Sequence, residues 1–352
     1  MSTASTPPPL ELSFDRLRRI HATLLRRLPA ERRMQVRGLG FAPGAAGETS
    51  APADARLQVT ARYELASDDD ATDITADIAP VETVRLLDRQ SRTYQRLAVA
   101  TAVGPAGSML PTGVRVEQQS AVATAAAVVR WTRTVPIPNI PPGHAAEDPR
   151  WRWGVVSAGH AFTDLPADDP GQWVHIYRQA TCGSGPPAVS GRVVARGRVA
   201  GEPDISLIET GLDRLWLSGL LERPNLPRIL PATQSQLVRW ITRGTFGTLV
   251  GDGVQHAWGW QAYYPELAIP GIGRVQHVIR YEATADVGAA MPFGPGSSGG
   301  VLMAGGIPIG IQIAAMQPEF RIGLAQAFDH SLAWLQRRLR ASSLQLIHLV
   351  MD

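Results

Sequence analysis

The chain has 352 residues, 44% of them hydrophobic and 18% charged, with a formal net charge of +3. That composition excludes a disordered chain, and the length suits two globular units, one of them large. The weak charge leaves no basic footprint for nucleic acid; all 34 Lys-or-Arg positions are arginine, a bias that, with the abundant alanine, reads as a GC-rich bacterial genome.

Residues 1–11 are polar and Pro-rich and read as a disordered start without the apolar core of a secretory signal. Over Ser13–Leu28, Phe14, Leu17, Ile20, Leu24, Leu25 and Leu28 recur at helical spacing with arginines between them, and Pro29 ends the pattern. A basic amphipathic helix of this kind suits packing on a neighbouring element better than lying on a membrane surface. No stretch approaches the ~18 apolar residues of a membrane span. Strands are expected at Met34–Phe41, Arg56–Leu65, Val81–Asp88 and Tyr94–Val103. The acidic run Asp68–Asp70 lacks the ligand spacing of a calcium loop and reads as solvated. Residues 12–105 together read as a small α/β lead-in domain.

Residues 106–352 form a second unit, with short alternating strands and Gly/Pro turns from Ser120 onward. Expected strands include Ala121–Trp131, Arg152–Ser157, Gly191–Arg198, Leu237–Val250, His277–Tyr281 and Ile307–Ala315. Such a series argues for a mainly β barrel or sandwich. Pro136–Pro142 reads as an exposed extended loop, and Ser331–Leu346 as a terminal amphipathic helix. Cys182 is the only cysteine, so no intrachain disulfide can form, and a reducing, cytoplasmic setting follows. Its surroundings, Thr181-Cys182-Gly183-Ser184-Gly185, offer no partner for a nucleophilic thiol. No His/Cys/Asp cluster has metal-ligand spacing, and no cofactor is expected.

Three blocks carry chemistry. In Gly294-Pro295-Gly296-Ser297-Ser298-Gly299-Gly300-Val301-Leu302 a serine sits among glycines, where backbone N–H groups can converge on the oxyanion formed when its hydroxyl attacks a carbonyl. Alone the run resembles any flexible loop, yet it leads directly into a hydrophobic strand. In Trp153-Gly154-Val155-Val156-Ser157-Ala158-Gly159-His160-Ala161-Phe162 a buried-type strand ends in small residues and presents a histidine, which can take a proton from a nucleophile and return it to a leaving group. In Glu202-Pro203-Asp204-Ile205-Ser206-Leu207-Ile208 an acid precedes an alternating strand. An aspartate there is ordinarily a turn residue; its position between the histidine and the serine gives it weight.

Together these blocks resemble the chymotrypsin/trypsin serine protease family. Val-Val-Ser-Ala-Gly-His is similar to its Leu-Thr-Ala-Ala-His block, Asp-Ile-Ser-Leu-Ile to Asp-Ile-Ala-Leu-Leu, and Gly-Ser-Ser-Gly-Gly to Gly-Asp-Ser-Gly-Gly. The order His, Asp, Ser is the family's own, and the steps from 160 to 204 and from 204 to 298 leave room for two consecutive β-barrels. The resemblance covers about residues 120–345 and implies a double β-barrel with a C-terminal helix. It implies a His160, Asp204, Ser298 triad, an oxyanion hole from the N–H groups of Gly296 and Ser298, and a polypeptide as substrate. Strand Gly310–Ala315 would pair with the substrate backbone, and Pro292, Ile313, Ala314, Ala315 and Gly323 would form the substrate pocket. With no acid at Pro292 and small walls, a small or medium apolar side chain is expected at the cleaved position. Ser297 stands where animal members carry an aspartate, so their activating ion pair to a cut N-terminus is missing. Ile313 replaces the hydroxyl that often supports the catalytic aspartate.

Two other readings compete. Gly296-Ser297-Ser298-Gly299-Gly300 also fits the Gly-x-Ser-x-Gly pattern of α/β-hydrolases, but that fold needs its acid and histidine on separate loops after the serine, where only the adjacent Asp329 and His330 and the near-terminal His348 remain. A trypsin-like barrel can also be latent or inactive and serve as a protein-binding module, since fold does not secure function.

Overall fold

The computed structural model describes residues 12–44, 56–67, 74–75, 77–87, 92, 94–104, 109–111, 114–115, 121–133, 150–162, 173–177, 187–197, 201–221, 228–243, 246–251, 254–284 and 292–350. The residues before 12, Asp68–Asp70, Pro136–Pro142 and Cys182 lie outside the described residues. No helix among the described residues is long and apolar enough to cross a membrane.

The fold is mainly β and is built on two large sheets, in keeping with the double β-barrel expected. The smaller sheet contains β8 (Ala127–Thr132), β9 (Arg152–Ala158), β10 (Trp173–Ile176), β11 (Val189–Arg196), β12 (Ile205–Thr210) and β19 (Ser343–Leu349), ordered β10-β11-β12-β9-β8-β19. The larger begins with β1 (Val36–Pro43), β2 (Arg56–Leu65), β3 (Val81–Leu87), β4 (Tyr94–Gly104) and the short β5 (Met109–Pro111). It continues with β13 (Phe246–Gly251), β14 (Val254–Ile269), β15 (Gly273–Ala283), β16 (Val301–Ala304), β17 (Ile307–Met316) and β18 (Ile322–Ala327). A two-stranded ribbon, β6 (Val114–Arg115) with β7 (Ala121–Val122), stands apart.

Helix α1 (Phe14–Arg27) starts where the Ser13 hydroxyl accepts the N–H of Arg16. It buries Leu17, Ile20 and Leu24 in the core of the larger sheet, as its periodicity requires. The short α2 (Ala30–Gln35) then takes the start of the strand expected at Met34–Phe41. The boundary expected near residue 105 is crossed by a sheet: β1 pairs with β14, Phe41 opposite Tyr263, so the lead-in strands extend the second barrel. One hydrophobic core runs from Leu17 through Val99 to Ala327. The two parts are further tied by a buried charge cluster. Glu64 of β2 is fully buried and accepts Arg280 Nη1 of β15 at 2.8 and 2.9 Å and the Tyr264 hydroxyl of β14 at 2.8 Å.

Two expected elements differ. Within Leu237–Val250 the chain forms α4 (Gln234–Arg243) before β13, α3 (Leu212–Leu217) having come earlier. Thr233 and Gln236 start α4: the Gln236 side chain accepts the Thr233 N–H at 2.8 Å, half of a capping box, and Leu237, Val238 and Ile241 fall on one buried face. The expected terminal helix Ser331–Leu346 splits into α5 (Phe328–Arg338) and β19, because Leu344, Leu346 and Leu349 serve a strand paired with β8. Their side chains join Phe328, Leu332 and Leu335 of α5 and Val301 and Ile311 of the larger sheet in a core that fills the seam between sheets.

Candidate active site

His160 and Asp204 are placed by one strand pair. β9 and β12 run antiparallel with Ala158 opposite Ile205, so the residues just beyond each partner, Gly159-His160 and Asp204, arrive side by side. After β9 the chain turns through a short 3₁₀ segment, His160–Phe162. The Asp204 carboxylate then holds His160 at two points: Oδ1 accepts the backbone N–H at 2.6 Å and Oδ2 lies 2.5 Å from Nδ1. Both side chains are nearly sealed from water, 7% and 3% exposed. Gly159 makes the approach possible, since a Cβ there would sit 2.9 Å from Asp204 Oδ1. A carboxylate on Nδ1 favours the tautomer with its proton there and leaves Nε2 as the acceptor, the form a general base needs.

Ser298 comes from the larger sheet. The loop that carries it bends through a Ser297–Gly300 turn, in which Gly300 N–H donates to Ser297 O at 2.9 Å and Gly299 takes φ +98°. It is stitched to β17 by Gly299 N–H on Gln312 O and Gln312 N–H on Gly300 O, both 2.8 Å. Across the seam it hangs on Thr124. The Thr124 N–H donates to Ser298 O at 2.7 Å, its hydroxyl donates to Gly296 O at 2.8 Å, and its carbonyl accepts the Ser157 hydroxyl at 2.7 Å. A Cβ on Gly299 would lie 1.9 Å from that carbonyl, so only glycine fits by space as well as by dihedral. Ser157 stands three residues before His160, so the serine loop rests on the strand that delivers the histidine. Ser298 is fully buried, with its hydroxyl donating to Ile313 O at 3.4 Å, and Gly296 adopts φ +93°.

Three positioning residues escaped the sequence reading: Thr124, Ser157 and Gln326. Gln326 of β18, 1% exposed, accepts the Asp204 N–H at 2.8 Å on Oε1 and donates from Nε2 to Gln276 O at 3.2 Å. It thereby supports the aspartate from the opposite sheet, at a site where Ile313 brings no hydroxyl. A lone glutamine within the apolar run Ile322–Ala327 was the available signal.

The expected pocket residues Pro292, Ile313, Ala314, Ala315 and Gly323 are all buried. Ile313 and Ala314 pack in one cluster with Tyr264, and Ala315 in another with Tyr281 and Phe293. The space beside Gly323 is taken: a Cβ there would meet Tyr281 ring carbons at 2.4 Å and its hydroxyl at 2.6 Å. Tyr281 stacks edge-on with Phe293, 4.8 Å between centroids, and burial raises the pKa of its hydroxyl well above the usual tyrosine range. The small walls are therefore backed by aromatic rings. The edge of β17 expected to receive a substrate backbone is paired with β5.

No protein-family model matches the chain, and no curated protein does. Among solved structures, the Nocardiopsis protease NAPase is similar over 68% of this chain and 97% of its own, at 16% identity and a TM-score of 0.35. Thermobifida fusca Protease A covers 68% of this chain and 98% of itself at 12% identity and TM-score 0.34. The Cellulomonas bogoriensis chymotrypsin covers 68% and 96% at 14% identity and TM-score 0.33. These neighbours are chymotrypsin-like bacterial serine proteases, alike at low identity and low TM-score.

Proposed function

We propose that the chain is a serine endopeptidase in which His160, Asp204 and Ser298 hydrolyse peptide bonds through an acyl-enzyme. The two-point hold of Asp204 on His160, on a strand that also carries the anchor of the serine loop, is the observation that supports this reading most strongly. In the proposed reaction Ser298 Oγ attacks the carbonyl carbon while His160 Nε2 takes its proton. The carbonyl oxygen gains charge and is held by the N–H groups of Gly296 and Ser298. Collapse expels the amine, which receives the proton from His160, and a water activated by the same imidazole then releases the acid. Asp204 stabilises the imidazolium through the same contact. A fluorophosphonate probe tests this directly. Ser298 is expected to be the labelled residue, with His160→Ala and Ser298→Ala abolishing labelling and lowering turnover on the order of 10⁴-fold or more. Labelling of Ser297 instead, or turnover unaffected by Ser298→Ala, would overturn the assignment.

A further inference from the structure

β17 has a divided edge. β16 pairs with it from Ile307 to Ile311, where the Ser298 loop intervenes through the Gly299, Gly300 and Gln312 bonds. Beyond that loop the same strand offers Ala314, Ala315 and Met316, and β5 takes them: Pro111 lies opposite Ala314, Leu110 opposite Ala315 and Met109 opposite Met316, antiparallel. The direction of the segment matters. Running from Met109 to Pro111, it travels back along β17 toward Ile313, whose carbonyl accepts the Ser298 hydroxyl at 3.4 Å. An extended chain laid on this edge in this sense is thus led toward the serine. The segment is also held by its side chain, for Met109 is 1% exposed in a cluster with Ala262, Tyr264, Ile313 and Ala314. Strand addition to a sheet edge is a general mode of peptide capture, with main-chain bonds giving affinity and alternate side chains giving selectivity.

We infer that Met109–Pro111 is a cis-bound occupant of the peptide-docking edge, so that the intact chain holds its own substrate-like strand and selects extended apolar peptides of the Met-Leu-Pro kind. This rests on the serine endopeptidase reading for its catalytic consequence and on the strand pairing alone for the docking site. Any peptide substrate must displace β5 before it can reach Ser298. The chain is therefore self-restrained, and a variant that frees the edge is the more reactive form.

The test compares the wild-type chain with Met109→Glu, which expels the buried thioether and leaves His160, Asp204 and Ser298 unchanged. Two readouts are needed. Binding of fluorescein-labelled Met-Leu-Pro peptide, followed by polarisation, reports on the edge and does not require catalysis. The rate of fluorophosphonate labelling reports on Ser298. Where β5 holds the edge nine-tenths of the time or more, its release raises both peptide affinity and labelling rate about tenfold or more. Excess peptide then slows labelling of the variant again. Equal peptide binding by both proteins, or by neither, overturns the occupant proposal even where Ser298 labels well. Peptide binding restricted to the variant, with no labelling in either protein, upholds the docking edge and sinks the endopeptidase reading. If Met109→Glu fails to melt cooperatively, Met109→Ala is measured in its place against the same criteria.

Discussion

Replacing Gln326 by leucine removes both ends of the amide that braces Asp204 while keeping a similar volume in a position 1% exposed. Two backbone groups then lose their partners, the buried Asp204 N–H bonded at 2.8 Å and the half-buried Gln276 carbonyl bonded at 3.2 Å. The buried N–H, left unsatisfied, costs about 1–3 kcal/mol, and the half-buried carbonyl adds little because water can reach it. In a chain of 352 residues each kcal/mol moves the melting temperature by roughly 1–2 °C, which predicts a fall of a few degrees. The aspartate also loses the contact that fixes its main chain, so kcat is expected to fall on the order of tenfold to a hundredfold while KM moves little. Urea denaturation and steady-state kinetics on a peptide substrate read the two effects. A stability change below about 0.5 kcal/mol together with unchanged kcat would refute the bracing role.

The Glu64–Arg280 pair predicts an asymmetry. Glu64→Leu strands a buried guanidinium and is expected to cost about 3–5 kcal/mol, while Glu64→Leu with Arg280→Met recovers part of it, the Tyr264 hydroxyl staying unpaired, as urea midpoints would register; a double variant as weak as the single refutes this. His277 predicts acid sensitivity. Burial first, then the neighbouring His330 and Arg18, lower its pKa from 6.5 to about 3, and its ring accepts or shares a proton with the Tyr263 hydroxyl at 2.6 Å. The folded state therefore binds fewer protons than the unfolded state between those values. Its contribution is fully present above about pH 6.5 and is lost at about 1.4 kcal/mol per pH unit on descent toward 3. Urea midpoints from pH 7 to 4 should fall less steeply in His277→Gln than in the wild type, and parallel slopes refute the assignment.

The pairing of His160 with Asp204 was legible because both sit at the ends of two adjacent strands, where local sequence still announces small residues, a turn and an alternating run. The serine block was legible through its glycines, whose positive φ and lack of space are local demands. What was not legible lies far apart in the chain. Gln326 reaches Asp204 across 122 positions, and Arg280 reaches Glu64 across 216. Thr124 looks like any polar residue between alanines until the Ser298 loop is laid on it. In the expected strand Leu237–Val250 the first half is helix instead, because the Gln236 side chain caps Thr233 and Leu237, Val238 and Ile241 share one buried face. In Leu339–Leu349 a run of leucines supports either period, and pairing with β8 decided for the strand.

The order in which the chain visits its two sheets has a consequence for synthesis. It lays down β1–β4 in the larger sheet, crosses to β8–β12, returns for β13–β18, and only then supplies β19, the outermost strand of the smaller sheet beside β8. Residues 343–349 are thus needed to complete a layer begun two hundred positions upstream, and such distant pairing is slow to form. On the ribosome the histidine-bearing layer therefore stays incomplete until residues 343–349 have been made. A nascent chain built this way carries its own delay, and loss of residues 343–349 would strip β8 of its outer partner and the seam of Leu344, Leu346 and Leu349.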